Sequence, residues 1–207
     1  MSLFLSKMEN YERYKNINSK KYEKKGIMYY LCRKPSDNKI FPIINNIKDK
    51  KVLEVGIGTG YYTKILLKNK CNVTGVDINP HLGKKLGIKI IKAKADNFSK
   101  NLKKEKFDIV SSFWMTEYLN EKQLEDFLKE SRKVLKKDGK LITTIITNKG
   151  LGWLYIFLAK RLKNINKYNY SKKQIANYLK NQELNSVHII KLNSWLSIPW
   201  AFLVVTK

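Results

Sequence analysis

Three glycines at alternate positions follow a short apolar run near the start of the second quarter of the chain. The stretch VLEVGIGTG covers residues 52–60, with Glu54 inside the apolar run and Gly56, Gly58 and Gly60 at its end. Glycine allows backbone conformations and close approach that other residues do not, so such a loop suits a ligand that lies against the main chain. A strand, a glycine loop and a helix in this order predict a site for a nucleotide-like ligand at the carboxyl edge of a sheet.

A second acid stands at the end of the next apolar run, where a nucleotide site needs one. Asp77 follows NVTGV and lies 21 residues after Gly56. Dinucleotide sites place an acid about 20 residues further on, where it accepts hydrogen bonds from ribose hydroxyls. Up to this point the pattern fits NAD and other adenosyl cofactors equally well.

Three features favour an adenosyl cofactor that carries an amino acid over a dinucleotide. The glycines form GxGxG, whereas the dinucleotide fingerprint is GxGxxG, and Tyr61 occupies its last position. The Glu54 carboxylate would repel a pyrophosphate but suits a cationic group. In addition, no later segment resembles a nicotinamide-binding half.

Apolar runs that alternate with helical patterns predict an α/β fold. Five strands separated by helices within about 100 residues favour a parallel sheet with helices on both faces. The last two strands are joined by a connection too short for a crossover helix, so they predict an antiparallel C-terminal hairpin. The predicted strands are Lys51–Val55, Asn72–Val76, Ile88–Ala93, Phe107–Phe113, Lys140–Thr147, Ser186–Leu192 and Trp200–Thr206.

Helix signals lie between these strands. Asn79 before Pro80 is a predicted N-cap for a short helix, and Asp138-Gly139 a predicted turn. Asn120 with Gln123, and Ser171 with Gln174, have the spacing of capping boxes. The predicted helices cover Tyr61–Lys68, Glu121–Leu135 and residues from Ser171 to about Lys180.

The chain is expected to form a single domain over residues 1–207, with an N-terminal helical cap over residues 1–48. Residues 151–170 (LGWLYIFLAKRLKNINKYNY) are apolar in their first half and basic and aromatic in their second. This segment has three interpretations: a buried core helix, a lid inserted over the substrate, or a helix at a membrane surface.

Composition limits the class of protein without deciding its partner. The formal net charge is +25, and 38 of the 42 basic residues are lysine. Nucleic-acid readers usually favour arginine, so a compositional bias explains the charge better than a polyanionic partner, which stays open. Cys32 and Cys71 lack the spacing of a disulfide framework or a zinc site. Without a signal peptide or a membrane-spanning run, we expect a cytoplasmic protein, with peripheral membrane contact through residues 151–170 as an open alternative.

The order of motifs resembles class I S-adenosylmethionine-dependent methyltransferases, in particular the ubiquinone- and menaquinone-methylase-like group. VLEVGIGTG is similar to the first motif of that family and GVDIN to its second-strand acid. KADNF, FDIVSSFWMTEYL and VLKKDGKLI resemble the motifs that follow. The resemblance covers residues 50–147 and implies a Rossmann-like, seven-stranded, mostly parallel sheet that ends in an antiparallel hairpin.

The resemblance also implies roles for individual residues. The cofactor, S-adenosylmethionine, would lie along Gly56, Gly58, Gly60 and Tyr61 with its methionine part, and Glu54 would organise its ammonium group. Asp77 would bind the ribose hydroxyls and Ile78 would pack on the adenine. Asp96 would accept from the adenine amino group beside Asn97, and Ser112 and Phe113 would line the floor of the site.

The acceptor is expected to be a small, apolar or aromatic molecule. The (N/D)PP(Y/F) motif of many nucleic-acid and protein methylases is replaced here by SFWM (residues 112–115). Trp114, Met115, Trp153, Tyr155 and Phe157 are candidates for the lining of an acceptor pocket.

The catalytic residue is unknown, and three side chains are weak candidates for a general base: Tyr14, Glu117 and Tyr118. The sequence predicts no metal site. Other interpretations of the chain are an RNA methyltransferase that uses the lysine-rich surface, a non-enzymatic cofactor-binding or assembly protein of the same fold and, least favoured, a dinucleotide oxidoreductase. The oligomeric state is left open.

Overall fold

The computed structural model describes residues 34–147, 157, 161, 166–185, 187–192 and 201–206. Seven strands form one sheet: β1 Lys51–Val55, β2 Asn72–Asp77, β3 Lys89–Lys92, β4 Phe107–Ser112, β5 Leu135–Ile146, β6 His188–Lys191 and β7 Ala201–Val205. The α-helices among these residues are α1 Lys34–Asn45, α2 Thr63–Lys68, α3 Glu121–Val134 and α4 Lys172–Asn181, and single 3₁₀ segments cover Pro80–Leu86, Ser99–Leu102 and Thr116–Tyr118.

The strand order confirms the predicted fold class. The sheet runs β3-β2-β1-β4-β5-β7-β6, and β3, β2, β1, β4 and β5 are parallel neighbours. Strand β7 is antiparallel to both β5 and β6. The chain reverses its direction of progress between β1 and β4, and in open α/β sheets the crevice at such a switch point is where ligands bind.

Apolar side chains cover both faces of the sheet, which is why helices pack on both sides. On one face, Leu53 and Val55 of β1 join the core formed with α3 and α4. On the other face, Val52 of β1 packs with α1 and α2. Alternate residues of a strand point to opposite faces, so the continuous apolar runs predicted as buried strands are buried on both sides.

Strand β5 begins earlier than predicted and contains an irregularity where a turn was predicted. Phe107 pairs with Leu135 and Ile109 pairs with Lys140, so extra residues of β5 bulge out between these two pairs. Asp138-Gly139 lies inside this bulge, and the predicted turn is wrong. A Cβ added to Gly139 would lie 3.0 Å from Phe107 O, so the bulge approaches β4 too closely for a larger residue.

The helix boundaries follow capping chemistry where that chemistry is present. Both predicted capping boxes are confirmed, at Asn120 with Gln123 and at Ser171 with Gln174. Asn79 precedes the segment that starts at Pro80, but its side chain makes no capping hydrogen bond and the segment is 3₁₀. Without a side-chain cap, α2 starts at Thr63 rather than at Tyr61.

The prediction of β1 matches the structure, the strand predictions other than those of β1 and β5 differ from it by one or two residues at their ends, and the C-terminal hairpin is confirmed. The N-terminal cap and the 151–170 segment fall mostly outside the described residues. No helix within the described part of the chain is long and apolar enough to cross a membrane.

Candidate functional site

The glycine loop leaves β1 at the switch point and returns into α2. Gly56, Gly58 and Gly60 all have left-handed backbone conformations, with φ of 78°, 51° and 76°. Gly56 N donates to Val76 O (2.7 Å) and Gly60 N donates to Ile57 O (2.9 Å), so the loop is fixed to β2 and closed on itself. Left-handed φ is costly for residues with a Cβ, which explains the repeated glycine.

The space around the three glycines differs sharply. A Cβ added to Gly56 would lie 2.5 Å from Met115 Cγ, and one added to Gly60 would lie 2.3 Å from Leu86 Cδ1. A Cβ added to Gly58 would meet no atom within 4 Å. Packing inside the protein therefore fills the space at Gly56 and Gly60, whereas the loop is open at Gly58.

Asp77 closes the loop from the end of β2. Its Oδ2 accepts from Gly58 N (2.9 Å) and its Oδ1 accepts from Asn79 N (2.7 Å). Burial raises the pKa of the Asp77 carboxyl, and backbone hydrogen bonds from Asn79, Gly58 and Ile78 oppose that rise. The predicted ribose-binding acid is thus held directly beside the open position of the loop.

Glu54 lies beneath the loop, buried in the interior. Its side chain is 2% exposed, and Oε2 accepts from Thr63 Oγ1 (2.7 Å) at the start of α2. The pKa of Glu54 is raised to about 8: burial is the main cause, the Thr63 hydrogen bond opposes the rise, and the nearby Asp77 carboxylate adds to it. A buried carboxyl of this kind favours a cationic partner, because a cation stabilises its charged form.

Two buried hydroxyls lie on neighbouring parallel strands near the carboxyl end of β4. Ser112 of β4 is paired in register with Thr143 of β5. Their side-chain oxygens are buried, and within the described residues they have no hydrogen-bond partner. Since buried polar groups almost always have a partner, these hydroxyls indicate a place where a ligand or water completes the site.

The chain turns sharply after β4. Trp114 has a φ of 58°, a conformation that is unfavourable for a bulky residue, and its N–H donates to Thr144 Oγ1 (2.6 Å). Thr116 Oγ1 donates to Thr144 O (2.5 Å). This turn places the Met115 side chain beside Gly56. Strained backbone conformations such as that of Trp114 are found most often at functional sites.

A hydrogen-bonded chain connects this turn to α1. Trp114 Nε1 donates to Tyr62 Oη (2.8 Å), and Tyr62 Oη donates to Asp37 Oδ1 (2.6 Å). Tyr61 Oη donates to the other Asp37 oxygen (3.1 Å). The ring of Phe113, a predicted floor residue, lies 4.4 Å from that of Tyr62, so Phe113 packs on the α1 side of the sheet.

The candidate base Glu117 forms an ion pair. Its Oε1 binds Lys167 Nζ, and the side chains of Glu117 and Lys167 are 5% and 7% exposed. Glu117 O also accepts from Tyr168 N (2.7 Å), so residues 167 and 168 lie against the 3₁₀ segment Thr116–Tyr118. The Lys167 ammonium lies 4.9 Å from the centre of the Tyr118 ring. Sequence reasoning missed Lys167, because a contact 50 residues away leaves no local pattern.

The remaining predicted residues lie around the same edge of the sheet. Ile78 and Asp96 are half-buried, and Asn97 is exposed. Tyr14 lies outside the described residues. In the described part of the chain, no group of three His, Cys, Asp or Glu side chains is arranged to hold a metal ion.

Comparisons with known proteins identify the central part of the chain. Residues 53–143 match the family model described as a methyltransferase domain. This match supports the predicted relationship to class I S-adenosylmethionine-dependent methyltransferases over residues 53–143. Two solved structures of this fold, described next, contain S-adenosylhomocysteine, which agrees with S-adenosylmethionine as the predicted cofactor. The ubiquinone- and menaquinone-methylase-like grouping stays a prediction. A search of curated proteins found no match.

Solved structures share the fold at low sequence identity. An O-methyltransferase family protein from Burkholderia thailandensis has a TM-score of 0.64 and 12% identity; the match covers 83% of this chain and 56% of that chain, so this chain spans about half its length. The 1,6-didemethyltoxoflavin-N1-methyltransferase of the same organism has a TM-score of 0.62 and 15% identity. The match covers 84% of this chain and 77% of that enzyme. Magnesium protoporphyrin IX methyltransferase from Synechocystis PCC 6803 has a TM-score of 0.66 and 12% identity, with 98% and 95% covered.

Proposed function

We propose that this methyltransferase domain transfers the methyl group of S-adenosylmethionine to a small-molecule acceptor, apolar or aromatic in character. The observation that carries the proposal is the Asp77 carboxylate, held 2.9 Å from Gly58 N beside the open position of the glycine loop. The carboxylate provides acceptors for the hydroxyls of a sugar, and the open space at Gly58 lets a ligand approach the backbone beside it.

The residues present fit the cofactor. In this proposal the loop of Gly56, Gly58, Gly60 and Tyr61 follows the methionine part, and Asp77 binds the ribose hydroxyls. Ile78, Asp96 and Asn97 hold the adenine, and Ser112 and Phe113 form the floor. The unpartnered Ser112 hydroxyl and the raised pKa of Glu54 support this arrangement, because a ligand ammonium would stabilise the ionised carboxylate.

When bound, S-adenosylmethionine supplies a methyl group on a positively charged sulfur, which an incoming nucleophile displaces in line. The protein's contribution is to hold the two reactants in line and to exclude water. At this edge the turn at Trp114 is held by its hydrogen bond to Thr144, and Met115 packs beside Gly56. A general base is needed only for an acceptor that starts protonated, and Tyr14, Glu117 and Tyr118 stay weak candidates.

A small acceptor is supported by the sequence and by the neighbours. The turn after β4 reads SFWM rather than (N/D)PP(Y/F). Two structural neighbours are enzymes for small molecules, 1,6-didemethyltoxoflavin and magnesium protoporphyrin IX. Of the proposed lining residues, Trp114 and Met115 are half-buried at the site, Phe157 is 53% exposed, and Trp153 and Tyr155 lie outside the described residues.

The cofactor assignment is tested by calorimetry with S-adenosylhomocysteine. We expect the wild-type protein to bind it and Asp77→Ala to bind at least about tenfold more weakly, since lost hydrogen bonds to a charged group are worth about 1.5–3 kcal/mol. Asp108→Ala is the matched control, because Asp108 lies at the amino end of β4, away from the proposed cofactor site at the carboxyl ends of the strands. Equal affinity in wild type and Asp77→Ala would remove the ribose assignment.

The acceptor is tested by incubating the protein and methyl-labelled cofactor with cell extract, then separating small molecules from macromolecules by ultrafiltration. We expect protein-dependent label in the small-molecule fraction. Label only in RNA or protein would contradict the proposed acceptor class, and no transfer would favour a non-enzymatic binding protein.

A further inference from the structure

Lysines are concentrated in four segments that lead into the inner parallel strands. Residues 48–51, 68–72 and 103–108 lie before or at the start of β1, β2 and β4, and residues 133–140 comprise the end of α3 and the bulge that opens β5. The four segments contain twelve lysines and four acidic residues, and every one of these lysines except Lys51 is exposed. We call these four segments the lysine edge.

Contacts between the segments make the lysine edge one continuous surface. Asp49 N donates to Asn69 O (3.2 Å), which joins the segments before β1 and β2. Lys51 N donates to Asp108 Oδ2 (2.8 Å), which joins β1 to β4. Lys106 Nζ donates to Lys133 O (2.5 Å), which joins β4 to the region before β5. The segments follow the strand order β2-β1-β4-β5, so they stand in a row.

The loops that follow the first four strands at the opposite edge of the sheet carry few lysines. The loops that follow β1 to β4, residues 56–62, 77–81, 93–98 and 113–120, contain one lysine and three acids. A uniform excess of lysine in the source organism would enrich both edges alike. Around β1 to β4 the lysines are therefore concentrated at the amino ends of the strands, which the general lysine content of the chain does not explain.

We propose that the lysine edge binds the phosphate backbone of a nucleic acid, independently of base sequence. Four adjacent strands spaced about 4.8 Å apart give a row of segments about 15 Å long. A linear row of cations matches a linear polyphosphate, in which single-strand phosphates follow one another every few ångströms. Lysine binds phosphate as a point charge and lacks the bidentate fork that reads bases, so the contact is electrostatic.

A membrane surface is a poorer fit for this edge. Membrane-surface segments add apolar or aromatic side chains that enter the lipid. In the part of the chain that the structure describes, the large hydrophobic residue with high exposure is Phe157, which does not belong to the lysine edge. The lysine edge thus offers charge without an apolar anchor.

The geometry also separates binding from methylation. The proposed cofactor site lies at the carboxyl ends of the strands, and the lysine edge lies at their amino ends. A nucleic acid on the lysine edge leaves the cofactor site facing away from it. Binding at the lysine edge would therefore localise the protein on a nucleic acid, and it does not depend on which acceptor the cofactor site uses.

The test measures the fluorescence anisotropy of a labelled 20-nucleotide mixed-sequence RNA and of a DNA of the same sequence, from 50 to 200 mM NaCl. Contacts to about four or five phosphates predict that log Kd rises with log salt concentration with a slope of about 3. RNA and DNA are expected to bind alike, because the phosphate backbone is recognised.

Two triple variants separate a local surface from the overall charge. Lys48→Glu/Lys103→Glu/Lys137→Glu changes the lysine edge, and Lys129→Glu/Lys172→Glu/Lys173→Glu makes the same charge change on α3 and α4. All six lysines are exposed. We expect the first variant to weaken binding at 100 mM NaCl by more than about tenfold and to reduce the salt slope, whereas the control changes Kd by less than about threefold.

Equal losses in both variants, or no binding by the wild type, would overturn the proposal. Stronger binding to vesicles containing phosphatidylglycerol than to RNA would overturn it in favour of a membrane. Calorimetry with S-adenosylhomocysteine checks that both variants are folded, and unchanged cofactor affinity is the expected result. Transfer of labelled methyl groups to the RNA probe would contradict the separation of the two edges.

Discussion

Glu54 shows how a single side chain connects folding to ligand binding. It is buried beneath the glycine loop, and its pKa is raised from 4.5 to about 8. Between these values the folded protein keeps a proton that the unfolded chain releases, so the free energy of unfolding falls as the pH rises. The burial that suits Glu54 to a cationic ligand therefore reduces the stability of the ligand-free protein at neutral and alkaline pH.

This relation predicts the behaviour of Glu54→Gln. From about pH 5 to pH 8, deprotonation of Glu54 should lower the free energy of unfolding of the wild type by up to about 1.4 kcal/mol per pH unit. The melting temperature should fall accordingly. The neutral glutamine removes that contribution. A shallower dependence of the melting temperature on pH should remain, because the pKa of Asp77 is also raised. Thermal melts across the pH range measure both slopes, and identical slopes in the two proteins would contradict the buried position of Glu54.

The glycines of the loop predict different outcomes for the same substitution. Gly58→Ala places a Cβ in open space and should cost about 1–2 kcal/mol from its left-handed φ alone. Gly56→Ala adds a contact of 2.5 Å with Met115 and should destabilise the protein more.

Binding separates the two variants further. If the cofactor uses the open side of the loop, folded Gly58→Ala should bind S-adenosylhomocysteine at least about tenfold more weakly, since one tenfold step corresponds to about 1.4 kcal/mol. Denaturant unfolding and calorimetry on the same samples give both quantities. Wild-type affinity in Gly58→Ala would show that the ligand does not approach this position.

At the scale of elements, the Glu117–Lys167 ion pair fastens the chain before α4 onto the segment that follows β4. Both side chains are almost fully buried. The same region is held by Tyr170 Oη, which donates to Leu119 O (2.6 Å), and by Tyr170 N, which donates to Ile146 O (2.9 Å). Residues near the proposed acceptor site are thus kept in place by a segment from much later in the chain.

Removing one partner of this pair should be costly. Lys167→Met leaves the Glu117 carboxylate buried without its cation, and we expect a loss of about 3–5 kcal/mol in the free energy of unfolding. Glu117→Gln/Lys167→Met should recover much of that loss, because no charge remains buried. Denaturant unfolding of the wild type, both single variants and the double variant gives the coupling energy. A double variant no more stable than Lys167→Met would contradict the ion pair.

The elements that could be predicted from sequence are those fixed by local chemistry. Strands β1, β2 and β4 were located within a residue because their apolar runs are buried on both faces. The two capping boxes identified the starts of α3 and α4 because their hydrogen bonds lie within four residues. The turn at Asp138-Gly139 was wrongly predicted, because the same residues also suit a bulge and only pairing with Phe107 and Ile109 decides between them.

The same division applies to the site. The sequence predicted Glu54, Asp77 and the glycines as a group, and the structure brings them together. The sequence did not indicate that Thr63 is the partner of Glu54 or that the loop is open at Gly58 alone. It also did not indicate the hydrogen bonds that connect Trp114 through Tyr62 to Asp37. These contacts depend on how separate helices and strands pack together, and the residue type at a single position does not indicate them.

At the scale of the whole molecule, repulsion between positive charges destabilises the folded state. A formal net charge of +25 on 207 residues means that folding brings many like charges together. Salt screens such repulsion, and the Debye length falls from about 30 Å at 0.01 M to about 8 Å at 0.15 M ionic strength. We expect the melting temperature to rise as NaCl increases from 10 to 150 mM.

The lysine-edge triple variant provides the comparison. Because it changes the net charge by six units where the lysines are most concentrated, its melting temperature should depend less on salt than that of the wild type. An uncharged osmolyte at matched osmolality is the control for effects unrelated to screening. A wild-type melting temperature that falls over this salt range would contradict net repulsion and indicate that favourable ion pairs dominate.

The order of the last strands affects how a growing chain reaches its final form. β7 hydrogen-bonds to both β5 and β6, and among the residues that the structure describes β6 has β7 as its one neighbour in the sheet. A ribosome makes β6 first, yet β6 has no place in the sheet until β7 has been made and has paired with β5. Until then the β5 edge is open, which leaves a row of unpaired backbone groups available to other chains. Completion of the sheet therefore waits for Ala201–Val205, and a chain whose synthesis stops earlier keeps an exposed edge and an unpaired strand.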